Sequence, residues 1–371
     1  MTRTSLLLAA SLLAPPALAA TDLKAMQGVW KGTIGTLPIR ACYDAGEWRN
    51  EGKYFYEKHL KTIPLERDRD KAGDLTEGWA DTERVARWTV TRVVGDTLEG
   101  QWRGNGRTLP IRLVRVPFET DEDYDRACSS LAFVQPILTA TTIVKAPDRM
   151  QGLEVERWTL ASPDKDSVAI TSFQLRGTGP AVVAINRRLR KPFEDANEGW
   201  IFCLRNAGSF GASYDATFEP TFVTDRWLAV RQSNDSFCGG AHPDASSVSL
   251  LFDRRSGAEV NLFDWFEPEA VERTVVEDYG TIDKLGPSLL RDVMGRMTFD
   301  KEQEECRPSV EGASSWDLEL TPKGIAFTPS LPHVAQACGD SVSLSWKDLQ
   351  KYLNANGRRE AAALIAGSAR R

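Results

Sequence analysis

At 371 residues, with 42% hydrophobic and 26% charged side chains, the chain has the composition of a folded globular protein and not of a disordered or fibrous one. A formal net charge of −6 excludes any general attraction for nucleic acid or anionic lipid. It suits solubility, and it would favour a cationic partner.

The first segment, Met1 to Ala20, reads MTRTSLLLAASLLAPPALAA. Arg3 gives it a positive start, Leu6 to Ala14 is apolar, and Ala17-Leu18-Ala19 is a small-x-small cleavage site. This is a secretory signal pattern with cleavage near Ala19 or Ala20, and its apolar run is too short to span a bilayer. No cysteine follows the cleavage site and no later stretch is long and apolar enough to span, so neither a lipid nor a membrane anchor is expected. The expected location is the periplasm or the exterior. Removing the leader takes away one positive charge, from −6 to −7. About 350 residues remain, which is long for one domain.

Six cysteines follow: Cys42, Cys128, Cys203, Cys238, Cys306 and Cys338. An even count in an exported chain implies disulfides, though several pairings are arithmetically open. Their distribution suggests the local pairs Cys42–Cys128, Cys203–Cys238 and Cys306–Cys338. No two lie within four residues of each other, so structural zinc spacing is absent, and no metal is expected.

Residues 26–116 read as a meander of short strands at Gly28 to Ile34, Pro38 to Tyr43, Lys53 to Tyr56, Leu75 to Ala80, Arg87 to Val94, Thr97 to Trp102 and Leu109 to Val116. Recurrent turn signals such as Gly95-Asp96 and Gly104-Asn105-Gly106 fit a small antiparallel barrel or sandwich. Thr36-Leu37-Pro38-Ile39-Arg40 recurs as Thr108-Leu109-Pro110-Ile111-Arg112. Each copy follows a Trp-x-Gly segment, so two similar hairpins are expected at opposite ends of the meander.

Residues 117–150, with the acidic cluster Glu119, Asp121, Glu122, Asp123 and Asp125, read as a linker that Cys128 ties back to the first module. Residues 151–356 read as α+β. Glu154 to Leu160 and Ser167 to Leu175 alternate as a hairpin, and Pro180 to Phe193 has helical apolar spacing. Strands are expected at Arg226 to Gln232 and Ser247 to Phe252, and helices at Glu269 to Tyr279 and Pro287 to Met297. Trp316 to Leu320 and Ile325 to Phe327 read as paired strands. Ser345 with Asp348 marks a capped helix carrying Leu349, Tyr352 and Leu353 inward. Residues 357–371 read as a flexible basic tail. The expected fold class is therefore α+β: a small antiparallel β meander or barrel, then an α+β domain.

The run Phe237-Cys238-Gly239-Gly240-Ala241-His242-Pro243 resembles the C-terminal extracytoplasmic domain of RsiV-type anti-sigma factors. The family pattern is a strand ending in GGAH, then an "FD…TG" strand, a "DLF"-like segment and helices. Here those parts read Leu251-Phe252-Asp253, Ser256-Gly257 and Leu262-Phe263-Asp264-Trp265-Phe266. A strand–turn–strand over Leu318 to Phe327 and the Leu349 to Leu353 helix extend the likeness across about residues 154–354. The resemblance implies the fold, an envelope location, and recognition of lysozyme-like proteins or peptidoglycan, with Gly239, Gly240, His242 and Asp244 as the binding positions. Transmembrane signalling is not implied.

Three histidines, His59, His242 and His333, limit the catalytic options. His242 with His333 and a carboxylate, Asp244 or Asp340, would make a base or a ligand set. The alternative, that Gly239-Gly240 form a tight turn whose imidazole satisfies nearby backbone groups, is the better supported, because HExxH, HxxE and HxH spacings are absent. Gly208-Ser209-Phe210-Gly211 lacks the GxSxG spacing of a nucleophile elbow, and no phosphate loop or dinucleotide fingerprint is present. No cofactor is expected. Trp30, Trp48, Trp79, Trp88 and Trp102 crowd the first module; they would fill its core or stack on sugars, the former being the commoner use. Glu77, Asp81 and Glu83 near Trp79 read as surface carboxylates and not as a glycosidase pair. The leading functional expectation is an exported binding protein, with a cell-envelope hydrolase using His242 as the alternative.

Overall fold

The computed structural model describes residues 23–46, 50–68, 74–78, 86–119, 126–207, 211–240, 242–276, 280–299 and 304–368. The leader, Trp48, Trp79, Asp81, Glu83, Ala241, Gly208 to Phe210 and the acidic residues from Asp121 to Asp125 lie outside the described residues. Contacts divide the chain into two units, Met1–Phe133 and Val134–Arg371.

The first unit is a closed antiparallel barrel of eight strands. These are β1 (Gly28–Ile34), β2 (Leu37–Ala45), β3 (Asn50–Tyr56), β4 (Ile63–Arg67), β5 (Asp74–Glu77), β6 (Arg87–Val94), β7 (Thr97–Gly104) and β8 (Arg107–Val116). Each strand pairs with the next, and β1 closes on β8 with Ile34 opposite Ile111. The two repeated hairpins, at the ends of the meander in sequence, are therefore neighbours in space. Asn105 and Gly106 both take positive φ, 49° and 70°, as a tight two-residue hairpin turn demands. A Cβ on Gly32 would sit 2.0 Å from the Arg112 carbonyl oxygen, so only glycine lets the closing pair of strands approach. Strand alternation sends Trp30, Ile39, Ala41, Tyr43, Tyr54, Leu75, Trp88 and Leu113 inward, where they form one core.

The outer face of β2 and β3 is covered as well. Cys42 is bonded to Cys128, Phe55 packs on Phe133 with ring centroids 5.2 Å apart, and the Arg40 guanidinium donates to the Ala132 carbonyl. Lys53 and Asp44 are buried there. Burial lowers the Lys53 ammonium to about 8, with Asp44 and Glu51 opposing the shift, and burial raises the Asp44 carboxyl.

The second unit is α+β. After helix α1 (Leu131–Ala140) come β9 (Thr142–Met150), β10 (Leu153–Ala161) and β11 (Val168–Leu175). Helix α2 (Pro180–Asn206) then leads to β12 (Ser213–Val223), β13 (Trp227–Phe237) and β14 (Asp244–Asp253). The six strands make one sheet in the order β14-β13-β12-β11-β10-β9. All neighbours are antiparallel except β11 and β12, and the crossover that a parallel pair requires is α2. Ile185 and Leu189 of α2 pack on Val155, Phe173, Val230 and Phe252 on one face of the sheet.

The opposite face meets the rest of the chain. That part comprises the hairpin β15 (Val271–Val276) and β16 (Gly280–Leu285), α3 (Pro287–Met294), α4 (Arg307–Glu311), and a sheet of β17 (Ser315–Thr321), β18 (Gly324–Ser330) and β19 (Val342–Ser345). It ends in α5 (Trp346–Leu349) and α6 (Ala355–Ser368). Trp227, Ala229 and Leu251 of the large sheet join Trp265, Leu289, Phe327 and Leu353 in this second core. Disulfides Cys203–Cys238 and Cys306–Cys338 complete the three pairs that the cysteine distribution suggests. Three bridges belong to an oxidising compartment. No helix among the described residues is long and apolar enough to cross a membrane.

Three expectations fail locally. Glu269 to Tyr279 is not helical: after a short 3-10 turn at Pro268–Ala270, the β-branched Val271, Thr274, Val275 and Val276 form β15. The span read as a linker carries α1 and then β9, which pairs along its length with β10. Pro147 in β9 is tolerated because β9 is an edge strand. The tail read as flexible is helical to Ser368, with Ala361 and Leu364 in the core and the buried Glu360 paired to Arg226 at 2.6 Å. Strands β4, β12, β16 and β19 lie outside the expected elements.

Candidate functional site

The Gly-Gly corner follows from the covalent frame around it. β13 ends at Phe237, Cys238 is bonded to Cys203 near the end of α2, and the chain must then reverse into β14. Gly239 and Gly240 make the reversal with φ of 89° and 101°. A Cβ on Gly239 would stand 3.2 Å from the Ala207 Cα, so the corner is both left-handed and tightly packed.

It delivers His242 and Asp244 to the start of β14. His242 is exposed and forms no hydrogen bond among the described residues. Its ring centroid lies 5.9 Å from that of His333, which opens the 3-10 turn His333–Cys338. The His333 Nδ1 is 3.4 Å from an Asp244 carboxylate oxygen. Gln336 completes the group: its Nε2 donates to Asp244 at 2.8 Å and its Oε1 accepts from the Ala245 N–H at 3.2 Å. His242, His333 and Asp244 are thus brought together. Asp340 lies apart, in a depression of about 220 Å³ beside Cys306 and Cys338. Among the described residues no group of three or more His, Cys, Asp or Glu side chains is arranged to hold a metal ion.

Next to this corner runs an open groove of about 700 Å³. Its floor comes from the sheet face turned away from α2, and Trp316, Asp317 and the β18 end form a wall. Hydroxyls of Thr217, Ser233, Ser247 and Ser315 line it, and among the described residues neither lysine nor arginine does. Asp215 on β12 and Asp235 on β13 stand directly opposite each other, exposed, with no ion pair or hydrogen bond among the described residues. At the inner end the charges are met. Arg231 pairs with Glu319, and Asp317 accepts from the Ser249 N–H at 2.9 Å and its hydroxyl at 2.6 Å. Burial raises the Asp317 carboxyl, which those two hydrogen bonds partly oppose. A second depression of about 600 Å³ lies beyond Trp316 and Asp317.

Two DUF3298 family structures resemble the chain. One, from Pseudomonas aeruginosa PAO1, covers 58% of this chain and 94% of its own length at 13% identity and a TM-score of 0.38. The other, from Bacteroides fragilis NCTC 9343, covers 61% and 96%, at 13% identity and a TM-score of 0.36. No family model and no curated protein matches the chain.

The barrel holds a further cluster that the sequence did not reveal. One Glu77 carboxylate oxygen accepts from the Tyr54 hydroxyl at 2.6 Å, the Trp88 indole at 3.0 Å and the Trp102 indole at 2.5 Å. The Tyr54 hydroxyl is pushed far up, first by burial and then by this carboxylate. Glu77 therefore anchors the barrel end and is not surface decoration. Its donors are 11 to 25 residues away in sequence, which no short motif can express. Asp215 lies on β12, a strand outside the expected elements.

Proposed function

We propose that the chain is an exported binding protein of the cell envelope, released from a cleaved leader, whose α+β unit engages a cationic, lysozyme-like protein or peptidoglycan. The observation that carries this reading is the open groove near His242, hydroxyl-lined, acidic and without a lysine or arginine among its described lining residues. The likeness of the Gly239-Gly240-Ala241-His242 region to RsiV-type domains supports the same choice of partner. An acidic groove on an acidic protein also steers a basic partner towards it.

The test is retention of lysozyme and of purified peptidoglycan by the immobilised mature protein. Retention of either supports the proposal, and retention of neither removes it. A second reading, hydrolysis of envelope material, is favoured by one observation: His242, His333 and Asp244 lie close together. His242→Ala should then abolish release of fragments from peptidoglycan while the melting temperature stays put, since an exposed side chain contributes about 0.5 kcal/mol or less. Absence of turnover by the unaltered protein ends that reading.

A further inference from the structure

The alternation that fills the barrel with apolar side chains puts a different set on its outer wall. On β2 these are Arg40, Cys42 and Asp44, and on β3 they are Phe55, Lys53 and Glu51, which stand opposite them in that order. Asp44 therefore has Glu51 directly across from it and Lys53 on the diagonal, about 7–8 Å away and within reach of a long side chain. The segment carrying Cys128 and Phe133 closes over the three. Asp44, Glu51 and Lys53 are only 6%, 8% and 2% exposed, and the Lys53 Nζ lies 5.7 Å from the centroid of the Phe133 ring. The two oxygens of Asp44 are treated differently. Oδ1 accepts from the Cys128 N–H at 3.3 Å, and the Ala127 N–H is directed at the same carboxyl. Oδ2 is buried with no hydrogen-bond partner among the described residues.

We infer that Lys53 and Asp44 become joined by an isopeptide bond that the folded barrel makes on itself. The Lys53 Nζ attacks the Asp44 Cγ, the Cγ–Oδ2 bond breaks, and the oxygen leaves as water. Glu51, beside both, takes the proton that the nitrogen sheds and passes it to the departing oxygen. No other reactant is needed. The backbone N–H groups at Oδ1 stand where negative charge develops on the carbonyl oxygen, and Oδ2 is left as the leaving group. Burial favours the uncharged forms, an amine and a carboxylic acid, which are the two that react; Asp44 and Glu51 oppose this at Lys53, and the two N–H groups with Arg126 and Lys53 oppose it at Asp44. Holding both groups on adjacent strands away from water favours a condensation that bulk water would disfavour. The product is a neutral amide, which suits a dry site better than a buried ion pair does. The inference is independent of the binding reading above.

The test is the intact mass of the unaltered protein, a readout that does not depend on any variant folding. With all six cysteines reduced and alkylated, the mass should fall one water below that of the sequence from its observed N-terminus. Proteolysis should then release one branched fragment in which the peptides holding Asp44 and Lys53 are joined, with Lys53 resistant to trypsin. Lys53→Arg and Asp44→Ala should each restore the full mass. Glu51→Gln should restore it as well while the folded near-ultraviolet spectrum is kept. A full-length mass with no fraction one water lighter, after prolonged incubation of the folded protein near neutral pH, would overturn the inference. So would a loss of water that persists in Lys53→Arg, because a succinimide at Asp44 needs no lysine. Conversion in Glu51→Gln as complete as in the unaltered protein would remove Glu51 from the step.

Discussion

The Glu77 cluster in the barrel and the Asp215–Asp235 groove in the α+β unit are both built from carboxylates on strands, and they treat those carboxylates in opposite ways. In the barrel, one oxygen receives three donors from three different strands. In the groove, two carboxylates stand opposite each other on neighbouring strands, with no ion pair or hydrogen bond among the described residues. Like charges directly opposite in a sheet are mildly destabilising. The contrast separates a polar group that holds the fold from polar groups that make no such contact among the described residues.

Breaking the first kind should cost stability. The largest effect is expected from the bridge that pins residue 128 to the barrel wall: Cys42→Ser with Cys128→Ser opens a loop with a sequence separation of 86 and should cost about 4.5 kcal/mol in chemical denaturation. Glu77→Leu comes next. It strands the Tyr54 hydroxyl and two indole N–H groups, of which Tyr54 and Trp88 are wholly buried, and should cost on the order of 3 kcal/mol while lysozyme retention is untouched.

Until the bond to Asp44 forms, the buried Lys53 gives a smaller, pH-dependent effect. Its folded-state value near 8 lies below the 10.5 of an exposed lysine, so between those values the unfolded chain binds more protons and stability rises with pH. Above pH 10 the trend reverses. Tyr43, raised to about 12 first by burial, keeps in the folded state a proton that the unfolded chain loses. Denaturant midpoints of the unbonded protein from pH 7 to 11 should therefore pass through a maximum, and Lys53→Met should remove the rising limb.

Much of the fold was legible because local chemistry and tertiary environment agree. The Ser345 hydroxyl caps the Asp348 N–H as the spacing predicts, and the alternation at Trp316, Leu318 and Leu320 became a strand. Elements were misread where two signals compete. Residues 271–276 carry both helical spacing and β-branched side chains, and pairing with β16 decides for the strand. The alanine-rich end was read from composition, whereas Ala361 and Leu364 are held by the core. Of the candidate site, His242 and Asp244 stand in one short segment, and the fold places His333 beside them. Gln336, Ser247 and the Asp215–Asp235 pair depend on strand register and on a turn about 90 residues downstream, which a linear reading does not contain.

The central claim, that the groove's charges are left uncompensated for a partner, is tested most directly by measuring folding stability and lysozyme retention together in the protein carrying Asp215→Asn and Asp235→Asn. The account predicts a gain of about 0.5 kcal/mol in stability, because the facing charges are gone, accompanied by loss of retention. A variant no more stable than the original that still retains lysozyme in full would contradict it.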